Sequence, residues 1–118
     1  MRAVHVLMVA WALIGAPAIA DQAAPTAQDH GLDPAILALK GDVEYGEFLS
    51  GECTACHQKD GGGSGIPSIV LLPEEDFVLA LHAYKNKTRP HQAMQVIAGR
   101  LGNEEIAALA AYFATQDD

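Results

Sequence analysis

Cys53-Thr54-Ala55-Cys56-His57 is the stretch from which the rest of the chain is read. A C-x-x-C-H run is the attachment pattern of a c-type haem. Two thiols add to the two vinyl groups on one edge of the porphyrin, and the two residues between them set the reach. The His after the second Cys is carried beneath the ring, where its imidazole becomes the proximal ligand of the iron. A thioredoxin-like dithiol calls for a βαβ context and no following His. Half of a zinc site calls for a second ligand pair, and these are the only two cysteines in the chain. The sequence therefore predicts one covalent haem at Cys53 and Cys56, with His57 on the iron.

The N-terminus reads as an export signal. Met1-Arg2 is a short positive start, Val4 to Ile14 is almost unbroken apolar sequence, and Ala18-Ile19-Ala20 is a small-x-small cleavage site. This predicts a cleaved signal peptide over 1–20, with the cut before Asp21. As a membrane anchor the stretch is too short and is broken by Gly15 and Pro17. Removing it leaves one small domain, whose limited core needs a cofactor or staple. The chain carries 7 Lys and Arg against 15 Asp and Glu, for a formal charge of −8. That balance argues against nucleic acid or an anionic membrane as partner.

Residues 21–41 form an N-terminal extension. Asp21 to His30 has no periodicity and reads as a lead-in. Asp33 as N-cap with Pro34 at the first helical position predicts a short helix through Leu39, stopped by Gly41. The main domain spans 42–118. Asp42 caps a helix that runs through Val43, Phe48 and Leu49 into the Cys53–His57 segment, and Asp60 to Gly65 is a loop that turns tightly. Pro73 opens the next helix, acidic at its start (Glu74, Glu75, Asp76) and basic at its end (Lys85), in the order the helix dipole favours. A short helix ending at Gly99 follows Arg89-Pro90. Asn103 caps the last helix, where Ile106, Leu109, Ala110 and Phe113 repeat at helical spacing. No strand pattern occurs, so the fold class is all-α.

The iron needs a sixth ligand. Of the three Met, the initiator Met1 and Met8 leave with residues 1–20, so Met94 is the only one in the mature chain that the sequence predicts. A thioether is soft and uncharged; it favours ferrous iron and raises the potential. Met94 follows the Arg89-Pro90 turn, in a segment able to fold over the open haem face. His91 and His82 are the rival ligands, and filling a gap in the core is the plain alternative for Met94. Pro67, in Gly65-Ile66-Pro67, lies where a nearby carbonyl can accept the second ring proton of His57. With both axial positions filled the iron has no site for substrate, so electron carriage is expected and catalysis is not.

The stretch from Asp42 to Thr115 resembles the small bacterial class I cytochromes c. The matching pieces are Gly46, the Cys53–His57 run, Gly65-Ile66-Pro67-Ser68, Met94, Gly99-Arg100-Leu101 and Glu104 to Phe113. The resemblance implies helices wrapped around one haem, axial ligation by His57 and Met94, Pro67 as carbonyl acceptor for His57, and Gly46 packed against Tyr112 or Phe113. Within the family, the runs Gly65 to Ile69, Leu81 to Lys85 and Arg89 to Met94 are most similar to the cytochrome subunit of flavocytochrome c sulfide dehydrogenase. That implies a periplasmic protein whose partner is an FAD-containing sulfide-oxidising subunit. Many such subunits carry two haems, whereas this chain has one C-x-x-C-H run.

Two other roles stay open on the sequence. One is a free-standing shuttle between a dehydrogenase and an oxidase or reaction centre. The other is a haem sensor or peroxidase-like enzyme in which Met94 leaves the iron. Lys85, Lys87 and Arg89 cluster just before Met94 in an otherwise acidic chain. They read either as a docking patch or as charges that complement a helix end.

Overall fold

The computed structural model describes residues 31–58 and 65–116. The expected signal peptide over 1–20, the expected lead-in over 21–30 and residues 60–64 of the Gly-rich stretch lie outside them. The described residues form helices and no strand, in the order α1 (Pro34–Leu37), α2 (Val43–Leu49), α3 (Gly51–Thr54), α4 (Glu74–Lys85), α5 (Gln92–Gly99) and α6 (Asn103–Ala114). The all-α expectation holds.

Helix starts follow the polar side chains. Asp33 accepts from the Ala35 N–H at 2.9 Å and Asp42 from the Tyr45 N–H at 2.9 Å, each using a backbone donor that has no partner within its own helix. The short first helix stops at Leu37, two residues sooner than expected. The single helix expected from Val43 into the cysteine segment is two. Ser50 is the joint: its hydroxyl donates to the Glu47 carbonyl at 2.7 Å and its N–H reaches the same oxygen at 3.2 Å, tightening the turn. At α6 the cap is Gly102, not Asn103, which is the first helical residue. The Gly102 N–H donates to the Glu105 carboxylate at 2.6 Å, so the carboxylate three residues on does the capping.

Helix α6 is the centre of the core. Ile106, Leu109 and Phe113 are its largest fully buried side chains, and Phe113 stacks on Phe77 of α4 with ring centroids 5.6 Å apart. Helix α2 crosses α6 on the other side, and α4 also carries α5. The α2–α6 crossing needs glycine. A Cβ at Gly46 would stand 2.7 Å from the Tyr112 Cβ and nearer still to the Ala108 carbonyl; one at Gly41 would stand 2.8 Å from the Ala111 Cβ. The two backbones therefore touch directly. Leu32, Ile36 and Leu37 also pack on this core, so the described part of the extension is fastened to the domain.

Candidate functional site

The cysteine segment sits at the end of the α2–α3 arm. The His57 N–H donates to the Cys53 carbonyl at 2.8 Å and the Cys56 N–H to the same carbonyl at 3.2 Å, so one further turn carries His57 past the second thiol. Nδ1 of His57 is 2.7 Å from the Pro67 carbonyl oxygen. A carbonyl can only accept, so Nδ1 carries the proton and donates, and Nε2 keeps its lone pair. A backbone acceptor fixed in this way sets the ring's orientation and raises its basicity as a ligand.

Cys53 is half-buried and Cys56 exposed, and both thiols are free. Burial, with a smaller contribution from the Glu52 carboxylate, pushes the Cys53 thiol up to about 11. Dithiol redox catalysis requires the opposite shift, toward thiolate at neutral pH. Among the described residues no three His, Cys, Asp or Glu side chains gather to hold a bare metal ion.

Beside Cys53 opens a cleft of about 520 Å³, walled by Phe48 and Leu49 of α2, Ile97 of α5, and Leu101 and Leu109 at the approach to and within α6. Its volume lies in the range of cofactor sites, roughly 300–1,000 Å³. Glu52 and Arg100 also line it, and they form an exposed ion pair at 3.3 Å. Nothing in the sequence marks that pair, since its members are 48 residues apart. Phe48 is 82% exposed.

Met94 stands in the first turn of α5 rather than in a loop, half-buried and packed against the same hydrophobic core as Cys53. Its N–H donates to Nδ1 of His91 at 3.3 Å, so His91 caps α5 with one ring nitrogen and meets the Tyr84 ring edge-on. His82 is buried within α4, where desolvation and, to a smaller degree, Lys85 hold its pKa below the ordinary value. The structure thus joins His57 to Pro67, and seats Cys53 and Met94 on one core.

The basic cluster has structural employment. Lys85 donates its ammonium to the Leu101 carbonyl, and the Arg89 guanidinium lies over the Tyr84 ring, 4.9 Å from its centroid. Only Lys87 of the three has no such contact described. It sits at φ 60°, where the chain leaves α4. Lys85 and Arg89 thus make contacts at and just beyond the end of α4, in line with the reading of the cluster as charges that complement a helix end.

No family model matches the chain. A stretch of 69 residues, 58% of this chain, is 41% identical to the cytochrome subunit of sulfide dehydrogenase of Chlorobaculum tepidum. The stretch spans 63% of that protein's length, less than two thirds of it. In sequence, then, this chain is similar over more than half its length to a protein named as a cytochrome.

Proposed function

We propose that this chain is an exported electron-transfer protein that carries one haem c on Cys53 and Cys56, with His57 and Met94 as axial ligands of the iron. The observation that carries the reading is the bond from His57 Nδ1 to the Pro67 carbonyl. It leaves Nε2 as the free, basic nitrogen, one residue after the second thiol, as a proximal ligand requires. The donor set also suits the group: two free thiols at C-x-x-C spacing, an oriented imidazole, and a thioether on the same core as Cys53. The bound haem supplies a one-electron Fe(III)/Fe(II) couple. His57 and Met94 would hold the iron, Leu49, Ile97, Leu101 and Leu109 give the cleft apolar walls, and the Pro67 carbonyl fixes the His57 proton on Nδ1.

The similarity to a sulfide dehydrogenase subunit supports a finer reading, in which the electron donor is the FAD-containing, sulfide-oxidising subunit of such an enzyme. The periplasm is the proposed location, reached through the 1–20 leader with the mature chain beginning at Asp21. Three measurements test the proposal. Haem should stay on the polypeptide through denaturing electrophoresis, and be lost when Cys53 and Cys56 are both replaced by Ala. Sequencing the exported protein should begin at Asp21. Sulfide plus the flavoprotein subunit should reduce the haem, whereas sulfide alone should be slow. Haem that washes off on denaturation, or a wild-type spectrum in the double Ala variant, overturns the attachment.

A further inference from the structure

The link from α4 to α5 is tied down at both ends, and its last tie is to Met94. At the start the Ala83 carbonyl accepts from the Thr88 N–H at 2.9 Å, the Arg89 N–H at 3.2 Å and the Thr88 hydroxyl at 3.1 Å. At the far end Gln95, in the first turn of α5, donates its side-chain amide to the Arg89 carbonyl at 2.9 Å. The Arg89 guanidinium covers the Tyr84 ring, and His91 meets the same ring edge-on with centroids 6.4 Å apart. His91 then accepts the Met94 N–H on Nδ1 at 3.3 Å.

His is not among the usual capping residues, which are Ser, Thr, Asp and Asn. Those short side chains fix only a helix end. An imidazole reaches further, and this one joins the first turn of α5 to Tyr84 of the neighbouring helix. The turn has little else to hold it: Gln92 and Ala93 are exposed, and Ala98 is the one buried residue of α5. Because a backbone N–H can only donate, Nδ1 of His91 keeps its lone pair and the hydrogen of the neutral ring stands on Nε2. Both nitrogens are thereby committed, and neither is left to bind a metal.

We infer that His91 is a positioning residue for the sixth ligand, holding the Met94 backbone so that its thioether stays presented to the iron. This rests on the proposed His57/Met94 ligation. A Met side chain is unbranched and turns about three bonds, so the place of its sulfur depends on how firmly its backbone is held. His91 thus sets how readily an outside ligand displaces Met94.

The test uses the exported holoprotein. Free imidazole is titrated against the ferric iron and followed by loss of the iron–thioether absorption, and hydrogen exchange of the Met94 amide is followed by NMR. His91→Ala should bind imidazole about fivefold more tightly, equivalent to the ~1 kcal/mol typical of a lost cap, and its Met94 amide should exchange faster by a similar factor. His91→Asn restores a capping oxygen without a ring nitrogen and should return both readings toward the parent. Asp33→Ala loses the same kind of cap on α1 and should leave both unchanged. Parent-like imidazole affinity in His91→Ala overturns the inference, and so does an equal gain in Asp33→Ala, which makes the effect one of general stability. Absorption lost in both His91→Ala and His91→Asn before any imidazole is added makes His91 the ligand itself, and overturns it too. Met94→Leu separates the two levels. If that variant keeps the absorption, the proposed ligation fails and His91 positions no ligand; if it loses the absorption while His91→Ala stays parent-like, only the role of His91 is refuted.

Discussion

The backbone of Gly46 rests directly on the carbonyl of Ala108, joining the helix that leads to the cysteines to the last helix of the core. A methyl group there has nowhere to go, because its neighbours are backbone and a Cβ rather than a movable side-chain end. Gly46→Ala should destabilise the holoprotein by about 3 kcal/mol, at the upper end for overpacked sites. Gly99→Ala is the control. A Cβ at Gly99 meets nothing within 4 Å, so that variant should unfold within about 0.5 kcal/mol of the parent. Equal denaturant midpoints for the two would refute the crossing.

Met94 should decide the redox character. On the proposed ligation Met94→Ala removes a soft, neutral ligand, so the potential should fall and the weak ferric absorption of an iron–thioether bond should vanish. Because Met94 also packs on the core, about 2–5 kcal/mol of stability should go with it. Met94→Leu separates the two effects, keeping most of the packing and losing the band. A parent-like spectrum in either variant would give the iron to another ligand, such as His91.

The stability should fall with acid because of His82. Its side chain is buried, and Nε2 has no hydrogen-bond partner among the described residues. The folded pKa lies below the ordinary 6.5, through desolvation first and Lys85 second. Below about pH 6.5 the unfolded chain therefore binds a proton that the folded chain refuses. The contribution of this site is complete above 6.5 and is lost as pH drops toward the folded pKa. His82→Leu removes both the proton site and the unpaired nitrogen. Melting curves from pH 7.5 to 5 should show a shallower acid decline in the variant than in the parent; parallel declines would acquit His82.

The end of α4 makes a prediction of opposite signs at two lysines. Lys85→Met keeps the stem and removes the ammonium that reaches the Leu101 carbonyl, and should cost about 1–3 kcal/mol. Lys87 holds a left-handed backbone at φ 60°. Lys87→Gly relieves that conformation and should leave the protein about 1 kcal/mol more stable, or at least no weaker. Chemical denaturation of both variants checks the pair.

Local chemistry was legible in the sequence, and long-range company was not. Asp33 and Asp42 mark helix starts because a cap is a contact over two or three residues, and Pro73 marks one through its fixed φ. Asn103 misled, since Asn next to two Glu suits a cap, yet Glu105 reaches back to Gly102 and moves the start by one residue. Pro67 was named as a carbonyl beside His57, and the two are bonded. The exposure of Phe48 was hidden, because its spacing fits an apolar face as well as an open one and only the arrival of α6 on the Gly46 side decides which. The lysine cluster left two readings open because nothing local shows that Lys85 meets the Leu101 carbonyl, 16 residues on.

The Gly46–Ala108 crossing also orders the protein's assembly in time. Synthesis proceeds from N- to C-terminus, so the Cys53–His57 run emerges well before α6, which supplies the Leu109 and Glu105 walls of the cleft. Throughout that interval α2 has no partner for its glycine face, and an isolated helix of 7 residues is unstable in water. On the proposed function, haem attachment would then meet the thiols on chain not yet fastened. The arrival of α6 fastens the arm and closes the wall. Under that reading, the order of the segments alone would separate loading from sealing.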